Sequence, residues 1–513
     1  MCVNLPPQGS PFSLCRVLAL FSKIMKKIIT IVSAAVISCF IFSFLVPTVS
    51  AAPSKKIKEI LVCNTSVREI STLPGEHVML AGFAARHKLS SGETHIPLYS
   101  HALVIGRAQW NVKTKSIVKK NGVPQITDKT LIITNDLMEI SIDEANILAD
   151  SISVLTGLSK EKIFIHCIHT HSAPRSMLSY WADPGKPNHD YAIRCEEHII
   201  ANAVQAVKDA AAFQPFTIEF GEGASNININ RGEKDGPIDR TVFAAKFLNT
   251  ITGKPIVSLI NYSCHPVSLG PGSQVTSSDF PGVVMRELKD AWGCDIFYYS
   301  GAQGNVDPAG CPQSKVEVTE KIGKQMANDI LAIKFCKMPA ANFCGKNLTL
   351  KIVHNEIKLP FQVEKITEDA INHLADSTSK WGVSVSQTWK DDVEGWRKGE
   401  IEKLRSGKTK DYLPFEVAAV NVGGFVMFFT QGEPFNEYQS GLRKEFAGTP
   451  LMFIAYTNGQ NSYLPSAHAY TVKAYDYEKD QMHVYIHSPY PLSSKMTTTY
   501  EKGIAETVKQ VLK

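Results

Sequence analysis

Short apolar runs at residues 130–134, 162–168, 255–260, 295–299 and 417–429 alternate along this chain with stretches of helical periodicity at 142–155, 190–212, 281–291, 315–333, 434–446 and 498–512. Runs that short and that apolar read as buried strands, and the amphipathic stretches between them must cover sheet faces. The pattern predicts an α/β fold of mixed sheets with flanking helices. No repeat, low-complexity tract or Pro/Ser-rich linker breaks residues 52–513, so one large domain is expected there. Asn249-Thr250-Ile251-Thr252-Gly253 and Asn421-Val422-Gly423-Gly424 separate strand-like runs as hairpin turns do. A composition 44% hydrophobic and 20% charged excludes disordered and fibrous classes.

Residues 1–51 read as an N-terminal extension and signal peptide. From Met25 a basic start, a long apolar core and the small-residue end Val49-Ser50-Ala51 have the layout of a secretory leader, with the mature chain starting near Ala52. The 24 residues before Met25 read as an unused upstream start. Export to a periplasmic, extracellular or cell-surface location follows. An uncleaved membrane anchor and a lipoprotein carrying its lipid on Cys39 are the alternatives, the latter disfavoured by the apolar continuation to Val46. Without residues 1–51 the formal charge falls from +5 to +1, which offers no footprint for nucleic acid. Of eleven cysteines, eight follow residue 51, none at C-x-x-C spacing, with Cys336 and Cys344 the expected local disulfide.

The chemistry-bearing residues stand where apolar runs end. Phe164-Ile165-His166-Cys167-Ile168 runs into His169-Thr170-His171-Ser172-Ala173-Pro174, and on an extended strand the two imidazoles of His169 and His171 would share a face. His166, at odd separation from His169, is expected to face the other way and be structural, while His101 is a candidate to line the cleft. The run at 256–260 ends in Asn261-Tyr262-Ser263-Cys264-His265-Pro266, and that at 425–429 ends in Thr430-Gln431-Gly432-Glu433-Pro434. Singly, each has a bland explanation: a surface histidine, a turn residue before proline, an acid favourable to a helix dipole. Together they make a set of metal ligands at strand ends.

These motifs resemble the neutral (alkaline, non-lysosomal) ceramidases, zinc amidases that cleave the fatty-acyl amide of ceramide. His169-Thr170-His171-Ser172-Ala173-Pro174 matches the family's Thr-His-Thr-His-Ser-Gly-Pro, followed by His265, Gly432-Glu433, and Tyr463 with Tyr470 and Tyr475, over residues 57 to about 500. The resemblance implies a catalytic domain of neutral-ceramidase type, without the C-terminal immunoglobulin-like domain that larger members add. It implies one Zn2+ per chain on His169, His265, Glu433 and Tyr463, and leaves an additional structural Ca2+ or Mg2+ open. His171 would handle protons, Arg231 would lie near the scissile amide and Tyr475 beside the oxyanion. Two imidazoles and a carboxylate leave room for a water whose pKa zinc lowers to about 7.

The chain also departs from the family. Asp307, in Gly304-Asn305-Val306-Asp307-Pro308, stands where ceramidases carry a serine proposed as nucleophile, so a metal-activated water is expected instead. Ala173 replaces a glycine, and Arg175-Ser176-Met177 differs as well. The implied partner is a small-molecule or lipid N-acyl substrate, met with transient membrane-surface contact where it is a lipid. The competing readings are a deacylase acting on a non-lipid N-acyl compound, an amidohydrolase barrel, and a weakly catalytic metal-binding or carbohydrate-binding surface protein. The barrel needs two later histidines and an aspartate at strand ends, and only His265 is on offer.

Overall fold

The computed structural model describes residues 57–83, 86, 88–175, 182–380, 387–472, 482–486 and 488–513. The signal-peptide reading and Tyr475 therefore lie outside the described residues. Two sheets form the middle of the molecule. The larger uses β1 (Ile57–Glu69), β2 (Tyr99–Asn111), β3 (Ile126–Asn135), β4 (Ile163–Cys167), β5 (Gln214–Ala224), β6 (Thr241–Asn249), β7 (Pro255–Tyr262) and β8 (Asp295–Ser300). Its order is β8-β7-β6-β5-β1-β2-β3-β4, with two short strands added off this path. The outermost pairs, β7 with β8 and β3 with β4, are parallel and the pairings between them antiparallel. The second sheet orders β9 (Leu350–Pro360), β10 (Tyr412–Val422), β11 (Phe425–Thr430) and β12 (Leu451–Ile454).

Strand alternation shows how the layers stack. In β11, Phe425, Met427 and Phe429 point into a core shared with the larger sheet, while Val426 and Phe428 point outward into a helix-covered core. In β4, Phe164 joins the shared core while Ile163, Ile165 and Cys167 face the other way. Both faces of such strands are buried, which is why their sequences are continuous apolar runs rather than alternating ones. Helices α1 (Ile142–Thr156) and α2 (His189–Lys208) cover one half of the larger sheet, and α3 (Asp279–Trp292) with α4 (Val316–Leu331) the other. Helices α5 (Glu368–Thr378), α6 (Gln387–Arg405), α7 (Asn436–Glu445) and α8 (Met496–Leu512) cover the second sheet. The result is a helix-sheet-sheet-helix sandwich, the mixed α/β architecture expected.

All six predicted helical stretches are present within a few residues, and both predicted hairpins form, β6 with β7 and β10 with β11. The run at 417–429 is two strands joined by that second turn. Helix α1 starts on a reciprocal capping box between Ser141 and Glu144 and stops at Gly157. The expected Cys336–Cys344 disulfide is absent: the backbone of Cys336 pairs with Phe220 of β5, that of Cys344 bridges to Ile60 of β1, and all eight cysteines are free. His101 does not line a cleft; it is buried on β2 against the Phe297 ring, 5.0 Å between centroids. Among the described residues no helix is long and apolar enough to cross a membrane.

Contact between the sheets is made in part by the stacked rings of Phe164 and Phe429, 4.5 Å apart. Phe164→Ala should lower the unfolding free energy by about 3 to 5 kcal/mol, measured as a fall in the urea midpoint at unchanged slope.

Candidate metal centre

The larger sheet's parallel edges bring their strand ends to one place. After β4 stops at Cys167, the chain turns through His169, whose φ of 69° lies in the left-handed region. That turn, and not strand alternation, swings the two imidazoles together, with Nε2 of His171 3.3 Å from Nε2 of His169. His265 arrives from the end of β7, three residues past Tyr262. Glu433 sits ahead of α7 in a two-residue parallel bridge that pairs it with Tyr463. Its Oε2 lies 3.2 Å from Nε2 of His265 and 3.4 Å from Nε2 of His169. Tyr456, Asn458 and Ser462 on the same side of the site also carry positive φ. Each such residue stores about 1 to 3 kcal/mol, and such strain gathers at functional sites.

The hydrogen bonds settle which nitrogen faces inward. Nδ1 of His169 is 2.9 Å from the Met138 carbonyl, and Nδ1 of His265 is 2.6 Å from that of Gln303. A carbonyl only accepts, so both Nδ1 atoms donate and both Nε2 atoms face the carboxylate, as bare lone pairs where the ring is neutral and as donors where it is protonated. With neutral rings these are acceptors facing acceptors at 3.2 to 3.4 Å, an arrangement that a proton on an imidazole or a bound cation would relieve. The ligand atoms of His169, His171 and His265 all lie within 4.8 Å of one another. Two imidazoles, a carboxylate and an adjacent phenol are a donor set suited to zinc, so the residues fit the group.

His171 differs from the other two. Its ring abuts Phe83 edge-on at 4.9 Å, and its buried Nδ1 has no hydrogen-bond partner. Gly82 backs the ring so closely that a Cβ there would come within 2.3 Å of it. The carbonyl bond that fixes the tautomer of His169 and of His265 is missing, which leaves His171 free to change protonation. Burial pushes its pKa well down, and the neighbouring imidazoles push the same way. For Glu433 burial opposes ionisation, yet His169 and His265 hold its carboxyl well below the usual carboxylate range.

Arg231 and Tyr463 close the other side. The Arg231 guanidinium donates to the Gly304 carbonyl at 2.7 Å and to the Tyr463 hydroxyl at 3.2 Å, and lies 3.4 Å from the Asp307 carboxylate. The same Asp307 oxygen lies 3.9 Å from Nδ1 of His265, so this carboxylate stands between Arg231 and the imidazole cluster. Burial raises the Tyr463 pKa, Glu433 adds to that, and Arg231 opposes it. The four ligand positions, His171, Arg231 and Asp307 are therefore neighbours around one centre. A small recess of about 20 Å³ lies beside Tyr463 and is lined by Leu413, Tyr470, Tyr490 and Leu492 together with Ser462, His483 and Ser488.

Sequence reasoning missed Tyr456, which stacks on His169 at 4.2 Å and donates to Glu433 at 3.3 Å, and Gln460, which donates to the same carboxylate. Their proximity to Thr457-Asn458 was the only available signal. His166 is structural: Thr134 lies 2.7 Å from its Nδ1, the Ser300 amide donates to its Nε2 at 3.2 Å, and burial pulls its pKa down to about 3.

A histidine with a depressed folded pKa stabilises the protein above its unfolded value and loses that contribution as pH falls toward the folded one. Chelator-treated protein should lose stability from pH 6.5 downward toward about 3, with His166 alone adding a slope of up to about 1.4 kcal/mol per pH unit. Urea midpoints against pH should fall less steeply in His166→Gln.

No protein-family model and no curated protein sequence matches the chain. Among solved structures, neutral ceramidase from Pseudomonas aeruginosa superposes with a TM-score of 0.58 at 14% identity, over 88% of this chain and 75% of that one. A ceramidase complexed with C2 superposes with a TM-score of 0.58 at 15% identity, over 88% and 76%. At these identities the likeness is one of architecture. The chain has the neutral ceramidase fold.

Proposed function

We propose that this protein is an exported zinc-dependent amidase that hydrolyses the N-acyl amide of ceramide or a related N-acyl lipid. The observation that carries the reading is the inward-facing pair of imidazole Nε2 atoms around the buried Glu433 carboxylate, with Arg231 and Tyr463 alongside. His169, His265 and Glu433 would hold the metal, with the Tyr463 hydroxyl beside them. Zinc in that position supplies a hydroxide near neutral pH and polarises the amide carbonyl.

The remaining work falls to the chain's own groups. His171, with its free Nδ1 and its Nε2 turned to the cluster, takes the proton from the attacking water and returns it to the departing amine nitrogen, which is a poor leaving group until protonated. Arg231, held by Asp307 and the Gly304 carbonyl, faces the negative charge that develops on the carbonyl oxygen. A preset donor of this kind is worth about 3 to 4 kcal/mol in the transition state. Tyr475 is proposed as a second donor to the same oxygen.

Purified protein is expected to carry one zinc per chain and to release fatty acid from N-acyl sphingosines in a chelator-sensitive way. His265→Ala and Glu433→Ala should each lose both metal and activity, and retention of zinc by both would overturn the site. His171→Ala should keep its zinc while turnover falls by about 10²- to 10⁴-fold, read by metal analysis beside steady-state rates.

A further inference from the structure

The loop that carries His171 continues through Pro174, whose backbone bridges to Leu80, into Arg175, whose amide donates to the Met79 carbonyl at 3.0 Å. Arg175 is thus four residues from the proton-handling imidazole and anchored to the strand segment that also presents Gly82 to it. Among the described residues its side chain has no hydrogen-bond or ion-pair partner, and its Nε is buried without one. The neighbouring cation Arg86 also has a buried Nε without a partner, but its two terminal nitrogens donate to the carbonyls of Ala81, His171 and Gly270 at 2.6, 2.7 and 3.2 Å.

An arginine that is mostly out of water and makes no bond of its own sits in a costly arrangement unless something else completes it. The acid whose charge acts on Arg175 is Glu139, which follows Met138, whose carbonyl holds His169. Glu139 is itself held up to about 7, first by burial and then by the charge on Glu433, with His169 and Arg175 opposing. It forms no ion pair with Arg175 within 4 Å, so the guanidinium keeps its fork open. Arg175-Ser176-Met177 is also a segment where the chain departs from the ceramidases it resembles.

We propose that Arg175 binds an anionic group on the amine portion of the substrate, so that this site prefers N-acyl amines bearing a carboxylate or phosphate near the amide over neutral ceramide. The side of the substrate follows from His171: the imidazole that protonates the leaving nitrogen in the amidase reading and the guanidinium share one loop. A guanidinium fork matches a carboxylate or a phosphate with two parallel hydrogen bonds. The inference rests on the amidase reading for the reaction and adds the charge of the amine.

The test compares kcat/KM of the zinc-loaded protein on N-lauroylglycine, N-lauroylethanolamine phosphate, neutral N-lauroylethanolamine and C12-ceramide. At least a tenfold preference for an anionic substrate is expected, and whether the carboxylate or the phosphate shows it identifies the group. Arg175→Gln should shrink the anionic-to-neutral ratio at least tenfold, mainly through KM, and Arg175→Lys should restore part of it. No preference in the wild-type protein, or an unchanged ratio in Arg175→Gln, overturns the proposal. Calorimetric binding of N-lauroylglycine to zinc-free wild-type and Arg175→Lys protein gives a readout that needs no turnover. If no amide is hydrolysed the amidase reading fails, and the calorimetry still decides whether Arg175 holds the anion.

Discussion

Everything about the centre follows from lone pairs that face one another. Two imidazoles have spent their Nδ1 protons on the backbone carbonyls of Met138 and Gln303, and their Nε2 atoms point at a buried carboxylate 3.2 to 3.4 Å away. With both rings neutral such a cluster is repulsive, and a cation among the groups or a proton on an imidazole relieves it. The fold sustains it by over-determining each member. Glu433 takes hydrogen bonds from Tyr456 and Gln460, and its backbone amide is tied to the Ser462 carbonyl. Positive-φ residues at 169, 456, 458 and 462 show where backbone comfort was given up to aim these groups.

The sandwich explains why four separate stretches of chain can meet there. His169, His265 and Glu433 each follow a strand that is buried on both faces and cannot shift register without exposing its apolar side. Strand ends so fixed place loop residues accurately, whereas a surface loop alone would not. Glycine enters for the same reason at two places. A Cβ on Gly304 would come within 2.4 Å of the Glu433 carbonyl, and one on Gly82 would strike His171. These positions let backbone come closer to a working side chain than any other residue allows.

Much of this was legible in the sequence because period and punctuation were strong. The apolar runs, the two glycine-containing turns and the positions of His169, His265 and Glu433 at strand ends can all be read without coordinates. The means by which His169 and His171 converge could not, since a left-handed turn at a histidine leaves no compositional trace and strand parity gave a plausible but different account. Glu433 likewise reads as a helix-start acid, because a two-residue bridge to Tyr463 is too short to have a pattern. Tyr456, Gln460, Glu139 and the state of Arg175 depend on tertiary neighbours far along the chain, and nothing local distinguishes them from other tyrosines, glutamines and charges. The expectation of a Cys336–Cys344 bridge failed for the same reason, as each cysteine is claimed by a different strand of the larger sheet.

The two histidines of the motif end up unequal for a reason that concerns their outer nitrogens alone. His169 has a carbonyl on Nδ1 and so is locked as a lone-pair donor on Nε2; His171 has a glycine there and is locked as nothing. A ligand must not exchange its proton, and a proton carrier must. The same division runs outward from the centre. The groups anchored to backbone carbonyls, His169, His265 and Arg231, are those that any amide hydrolysis of this type would need. The groups left open, His171 and Arg175 on one loop, are on the proposed reading those that would meet the parts of a substrate that vary. A fold that fixes the first set by strand ends and carries the second on loops can keep one reaction while changing the molecule it acts on.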